Sequence, residues 1–246
     1  MTMQVGLVGR AGIILASDLR ITTSVSMKEE QEDNVAYLGR HGRKIEFDKD
    51  RNIAVSCADD LDFARSVAKR IIAELTPSDM VDEGSATSAI ERIVNDASST
   101  GNKKAQWLIA LRCPDWQLFK CRLAPLDPEK INGEWEISCA PSFTGREIAG
   151  HVVNPAIFLT KFHDEFLLAE RLIPLAAHLV LSAHYFNSDG IEGLEIVQCD
   201  ASGVRRIAAA SIADLKKASR DLDMYICESL TGCERAYAYD SCSALS

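Results

Sequence analysis

The chain has 246 residues, 47% of them apolar and 26% charged, with a formal net charge of −9. That length suits one large core, the acidic balance argues against a polyanionic partner such as nucleic acid, and no apolar run reaches the roughly 18 residues of a membrane span. The expectation is a soluble single domain over residues 2–232, with a polar tail at 233–246.

Two short apolar runs, MQVGLVG and GIILASDL, flank Arg10-Ala11-Gly12 and predict a hairpin buried on both faces. A strand beginning so early leaves no room for a leader, and none is expected. Residues 22–43 are polar, with KEEQED at their centre, and are read as a loop insertion crossing the surface. KIEF and NIAVSCA predict two further strands joined through Asp48 to Arg51. Leu61, Ala64, Val67, Ala68, Ile71, Ile72 and Leu75 recur at helical spacing, with Asp59 and Asp60 placed for the N-terminus. A weaker helix is expected near Ser85 to Ala97.

QWLIALR, WQLFKCRL and EWEISC predict three strands. Two helices are expected at about 147–165 and 168–185, Pro174 being tolerable in an early turn of the second. The strands LEIVQC and VRRIAAA follow, and Ser211-x-x-Asp214 reads as the cap of a last helix to about Leu230. Helix pairs interleaved with strand blocks point to packed sheets covered by helices, not to a βαβ array.

Eight cysteines without a CxxC pair read as buried, reduced thiols of a cytoplasmic protein, and five histidines without metal-ligand spacing read as structural. No metal or cofactor is expected.

Thr2, Gly12, Asp18, Arg20 and Lys44-Ile45 together resemble the proteasome β-subunit family of N-terminal nucleophile hydrolases, including its smaller bacterial members. In that family a leading threonine precedes an aspartate by sixteen residues, and counting back from Asp18 lands on Thr2. The resemblance is good over about residues 2–75. It implies an α+β fold, a four-layer αββα sandwich of two mainly antiparallel sheets covered by helices. It also implies a threonine peptidase acting on a peptide or protein substrate, assembled as a homo-oligomeric ring or spiral. Nothing in the sequence identifies an unfoldase ATPase partner.

Under that resemblance, initiator methionine removal exposes the Thr2 α-amine, a group that titrates at about 7.7–8.0 and so can accept the hydroxyl proton near neutral pH. Lys44 would favour the alkoxide and Asp18 would offset the lysine's charge; an ordinary surface ion pair is the alternative. The family register puts an oxyanion donor at Ala58 and a frequent family carboxylate at Asp62, and gives Arg20 a supporting role. Thr144 stands at a family serine position. The supporting loop matches poorly, with Asn187 or Asp189 at its polar positions according to the alignment. Ile21, Ser56 and Asp60 would line the pocket for the residue before the cut, where Asp60 would suit a basic side chain; serving the helix N-terminus is the alternative role for Asp60. Residues 22–43 are either a solvated acidic loop or a flap or subunit contact. An inactive ring or scaffold subunit, and an acyl transferase or peptide ligase on the same fold, remain open beside the hydrolase.

Overall fold

The computed structural model describes residues 2–29, 32–76, 78–98, 103–126, 135–150, 159, 161–186 and 192–231. Its elements in chain order are β1 (Met3–Gly9), β2 (Gly12–Ser17), β3 (Arg20–Glu29), β4 (Glu32–His41), β5 (Ile45–Asp48), β6 (Ile53–Asp59), α1 (Leu61–Glu74) and α2 (Glu83–Ser98). These are followed by β7 (Ala105–Arg112), β8 (Trp116–Pro125), β9 (Trp135–Pro141) and β10 (Arg146–Gly150). A 3-10 turn (Ala169–Leu172) leads into α3 (Ile173–Phe186), then β11 (Glu195–Asp200), β12 (Gly203–Arg206) and α4 (Ala209–Thr231).

Two five-stranded antiparallel sheets carry the molecule, one ordered β10-β1-β2-β11-β12 and the other β5-β6-β7-β8-β9. Period-two alternation divides each strand between two environments. In β6 and β7, Val55, Cys57, Trp107 and Ile109 face α1 and α2, where they meet Val67, Ile71, Ile90 and Val94. Met3, Val5 and Leu7 of β1, with Ile14 of β2, face α3 and meet Ala176 and Val180. Ile13, Leu15, Ala54, Leu108, Leu118 and Val197 form a third apolar cluster drawn from both sheets. The mixed α/β composition and the antiparallel pairing agree with the expected class.

Four expectations are corrected. Residues 22–43 are not a loop excursion: their described backbone runs in β3 and β4, paired antiparallel from Arg20↔His41 to Glu29↔Glu32 as a separate two-stranded sheet. The β-branched and small residues of RITTSVS and NVAYL favour extended backbone, and polarity alone does not make a loop. The helix expected from 147 does not start there, because Arg146–Gly150 pairs as β10 with the open edge of β1. Residues 159, 161 and 162 are helical, and 151–158 lie outside the described residues. The run VRRIAAA leaves the sheet after Arg206, and α4 starts at Ala209, with Ile212 N–H bonded to the Ala208 carbonyl. Ser211 therefore sits inside the first turn and does not cap it.

α1 follows its sequence signals closely. Asp60 is the N-cap, its Oδ1 accepting from Phe63 N at 3.0 Å, and Leu61, Ala64, Val67, Ala68 and Ile71 are the buried stripe.

Candidate active site

Antiparallel pairing brings sequence-distant termini to one end of the two sheets. β1 begins where β2 ends (Gln4↔Ser17), β11 begins beside the same residue (Glu195↔Ser17), and β5 begins where β6 ends. Thr2, Asp18 and Lys44 each stand one residue outside those strand ends. The structure brings them together.

Lys44 Nζ donates to Asp18 Oδ2 at 2.7 Å and to Thr2 Oγ1 at 3.1 Å. Asp18 is fully buried and Lys44 is 1% exposed, while Thr2 is half-buried. The carboxylate is held from three sides: Met3 N donates to Oδ1 at 2.8 Å, Arg20 N to Oδ2 at 3.1 Å, and Lys44 completes the set. Every polar atom of this pair that needs a partner has one, which is the condition for keeping two charges out of water. Burial pushes the Lys44 ammonium below its ordinary value, opposed by Asp18 and Glu195, and pushes the Asp18 carboxyl up, opposed by Lys44 and the backbone donors. A lysine depressed in this way and bonded to a hydroxyl lowers the cost of an alkoxide at that hydroxyl.

Gly150, at φ 99°, lies against the backbone of Thr2: a Cβ there would collide with the Thr2 carbonyl oxygen. Gln106 of β7 links this point to β6. Its Oε1 accepts from Gly150 N at 3.5 Å, and its Nε2 donates to Asp59 Oδ2 at 3.0 Å.

The other sequence candidates fall in different places. Arg20 contributes its backbone N–H to Asp18, while its guanidinium reaches Glu192 at 3.5 Å on the rim. Ala58 is buried in β6 opposite Gln106. Asp60 N bonds to Lys104 O and Arg112 N to Asn52 O, so the intervening even-numbered N–H groups of β6, Ala58's included, point into the β7 ladder. On the Lys44 side the last N–H of the strand is that of Asp59, whose φ of 71° turns the chain toward α1.

Ser56 is fully buried opposite Ile45. Ile21 is half-buried against the α1–α2 core. Asp60 caps α1 and pairs with Lys103 at 3.4 Å, and Asp62 is an exposed partner of Arg40 at 3.6 Å.

Thr144 is not brought to the cluster. Its hydroxyl donates to Arg146 O, and Val8 N bonds to Gly145 O, so it stands beside the far end of β1, roughly 20 Å from Thr2 at about 3.3 Å per strand residue. The turn before β10 is not the segment that meets Thr2; the end of β10 is. Asn187 and Asp189 lie outside the described residues. Among the described residues no group of three His, Cys, Asp or Glu side chains is placed to hold a metal ion, and Cys57, Cys113, Cys121, Cys139 and Cys199 are free and buried.

Sequence reasoning missed Glu195, which accepts from Lys44 N at 2.9 Å and Ile45 N at 3.2 Å. Its signal was available as a lone carboxylate in the apolar strand LEIVQC, where burial demands partners. Gly150 was missed because the segment read as a helix.

No family model and no curated protein matches the sequence. Solved structures do match. An Anbu (Gly-1) mutant from Hyphomicrobium sp. strain MC1 aligns over 96% of this chain and 99% of its own, with a TM-score of 0.62 at 15% identity. Anbu (ancestral beta-subunit) from Yersinia bercovieri aligns over 94% and 98%, with a TM-score of 0.64 at 13% identity. The fold is proteasome-like. At these identities the likeness is one of fold alone, and nearly the whole of this chain takes part in it. Within that proteasome-like fold, Thr2, Asp18 and Lys44 occupy one end of the paired sheets as described above.

Proposed function

We propose that the chain is an N-terminal threonine amide hydrolase of the peptidase type, working on a four-layer αββα sandwich. The observation that carries this is the Lys44 ammonium, bonded at once to the Thr2 hydroxyl at 3.1 Å and to the buried Asp18 carboxylate at 2.7 Å. Apolar clusters of helix on sheet, sheet on sheet and sheet on helix support the layering.

In this reading Met1 is removed and Thr2 supplies both nucleophile and base. Oγ1 attacks the substrate carbonyl carbon as its proton passes to the α-amine, giving a C–O bond and an oxyanion. Collapse breaks the C–N bond, and the departing amine takes the proton back from the α-ammonium. Water then adds to the Thr2 ester, the α-amine again accepting a proton, and the C–Oγ1 bond breaks to free the carboxylic acid and restore the hydroxyl. Lys44 favours the negative oxygen at the start and end of this cycle, and Asp18 fixes Lys44. The likeness to an ancestral β-subunit supports assembly into a homo-oligomer.

Intact-mass analysis of the purified protein, followed by treatment with a β-lactone, tests the reading. The expected result is a chain beginning at Thr2 that gains one adduct, located on Thr2 by peptide mapping. A trimmed chain that gains none refutes it.

A further inference from the structure

β5 is an edge strand of its sheet, and edge strands leave alternate backbone groups without a neighbouring strand. Cys57 N bonds to Lys44 O, so the bonded pairs between β5 and β6 are 44 with 57, 46 with 55 and 48 with 53. The N–H and C=O of Ile45 therefore point outward, away from β6.

Both are met by side chains of the other sheet. Ile45 N donates to Glu195 Oε2 at 3.2 Å, and Ile45 O accepts from an Arg206 terminal nitrogen at 3.0 Å. The same Glu195 oxygen takes Lys44 N at 2.9 Å, and Arg206 Nε holds Glu195 Oε1 at 2.7 Å. Arg206 also lies over the Phe47 ring, 4.9 Å from its centroid, two residues further along β5. Glu195 is 4% exposed, so these partners take the place of water around its carboxylate. Acidic and basic side chains from β11 and β12 thus occupy the place of a missing strand at the residue where the lysine-bearing segment enters the sheet.

We propose that Glu195 and Arg206 are positioning residues for Lys44: as a surrogate strand they fix the backbone from which its side chain reaches Thr2. This rests on the reading in which Lys44 serves a Thr2 nucleophile. The hydrogen bonds run to the backbone of Lys44 and Ile45, so beside the favourable charge of Glu195 on the ammonium the clamp acts through geometry. A misplacement of about 1 Å in a reacting constellation costs on the order of 100-fold in rate.

The test uses the full chain and the variants Glu195→Gln, Arg206→Met and Arg206→Lys. Acylation of Thr2 by a β-lactone is measured as a saturating rate and a half-saturation concentration, and amide hydrogen exchange is read by NMR at Lys44 and Ile45. Arg206→Met is expected to lower the saturating rate roughly 10- to 100-fold with little change in half-saturation, as expected for a displaced group that does not bind the probe. Exchange at the Lys44 and Ile45 amides is expected to quicken while amides in α2 keep their protection. Arg206→Lys, which keeps the charge, recovers part of the rate, and serves as the reporter if Arg206→Met does not fold.

Unchanged acylation in Glu195→Gln and Arg206→Met overturns the proposal, as does exchange that quickens evenly through β5, β6 and α2. Should the wild-type chain take no lactone, the Thr2 reading fails by itself. The exchange arm then decides alone: local quickening at 44 and 45 upholds the clamp, and its absence removes it.

Discussion

Gly150 lies directly against the carbonyl oxygen of Thr2, at a φ of 99° that only glycine adopts without strain. β10 pairs with β1 from Leu7↔Arg146 to Met3↔Gly150, so this contact lies just beyond the end of the ladder, at the residue before Met3 that carries the candidate nucleophile. Any side chain at 150 must displace the Thr2 backbone.

Gly150→Ala is therefore expected to cost about 2 kcal/mol or more, the sum of backbone strain and overpacking. Urea unfolding measures the loss. Lactone labelling of Thr2 should fall further than the unfolded fraction accounts for, because the folded molecules also carry a displaced Thr2. Labelling that tracks the folded fraction alone would separate Gly150 from the site.

The Lys44–Asp18 pair yields a prediction with a sign. Lys44→Met leaves a buried carboxylate facing an apolar group, and breaking a buried pair in this way costs about 3–5 kcal/mol. Adding Asp18→Asn removes the stranded charge and should recover most of that loss at pH 7. Asp18 is already raised by burial, and loss of Lys44 raises it further. A carboxyl raised in the folded state binds its proton more tightly there than in the unfolded chain, so folding gains stability as pH falls toward its ordinary value of 3.8. The deficit of Lys44→Met against wild type should accordingly shrink on acidification. Urea titrations at pH 8, 7, 6 and 5 read the trend; a deficit that grows toward pH 5 contradicts it.

Why Thr2, Asp18 and Lys44 were legible, and other parts were not, follows from the range of the forces involved. Thr2 and Asp18 flank the paired ends of the consecutive strands β1 and β2, where spacing along the chain converts directly into position, while Lys44, at the start of β5 in the other sheet, was reached through the resemblance. Gly150 depends instead on which segment pairs with the outer edge of β1, a non-local choice that five residues of REIAG do not announce. Thr144 was misplaced for the same reason, since a match in residue type carried no information about which end of β10 meets Thr2. The β3–β4 hairpin was obscured by its composition, its polar residues masking a strong extended propensity. Glu195 needed knowledge of the opposite sheet edge before its buried charge made sense.

His178 supplies a second pH-dependent expectation, remote from the site. It is buried between α3 and α4, with Nδ1 3.0 Å from Ser219 Oγ, Ser182 Oγ nearby and Asp223 at 3.9 Å. Burial lowers its pKa from the ordinary 6.5, against the pull of Asp223. The unfolded imidazole then takes up a proton first as pH falls, and stability drops below about pH 6.5. His178→Gln keeps a hydrogen-bonding side chain and removes that titration. Its urea midpoint should change less between pH 7 and pH 5.5 than the wild-type midpoint does, and equal slopes would show that another group governs the range.

Asp60 allows the two roles open to it in the sequence to be separated. Its Oδ1 accepts the Phe63 N–H at the start of α1 and its Oδ2 meets Lys103, so both oxygens are engaged within the chain. A carboxylate so occupied caps the helix and offsets a lysine, and has little left with which to select a basic substrate side chain. Asp60→Ala removes an N-cap acceptor and is expected to cost about 1 kcal/mol, whereas Asp60→Ser, which restores an acceptor at the same position, should lie close to wild type. Fluorogenic peptides differing only in a basic or apolar residue before the cut provide the second reading. The ratio of their kcat/KM values should stay within about threefold in Asp60→Ser, since less than 1 kcal/mol of transition-state discrimination then passes through the carboxylate. A collapse of the basic preference in that well-folded variant would instead place Asp60 in contact with substrate.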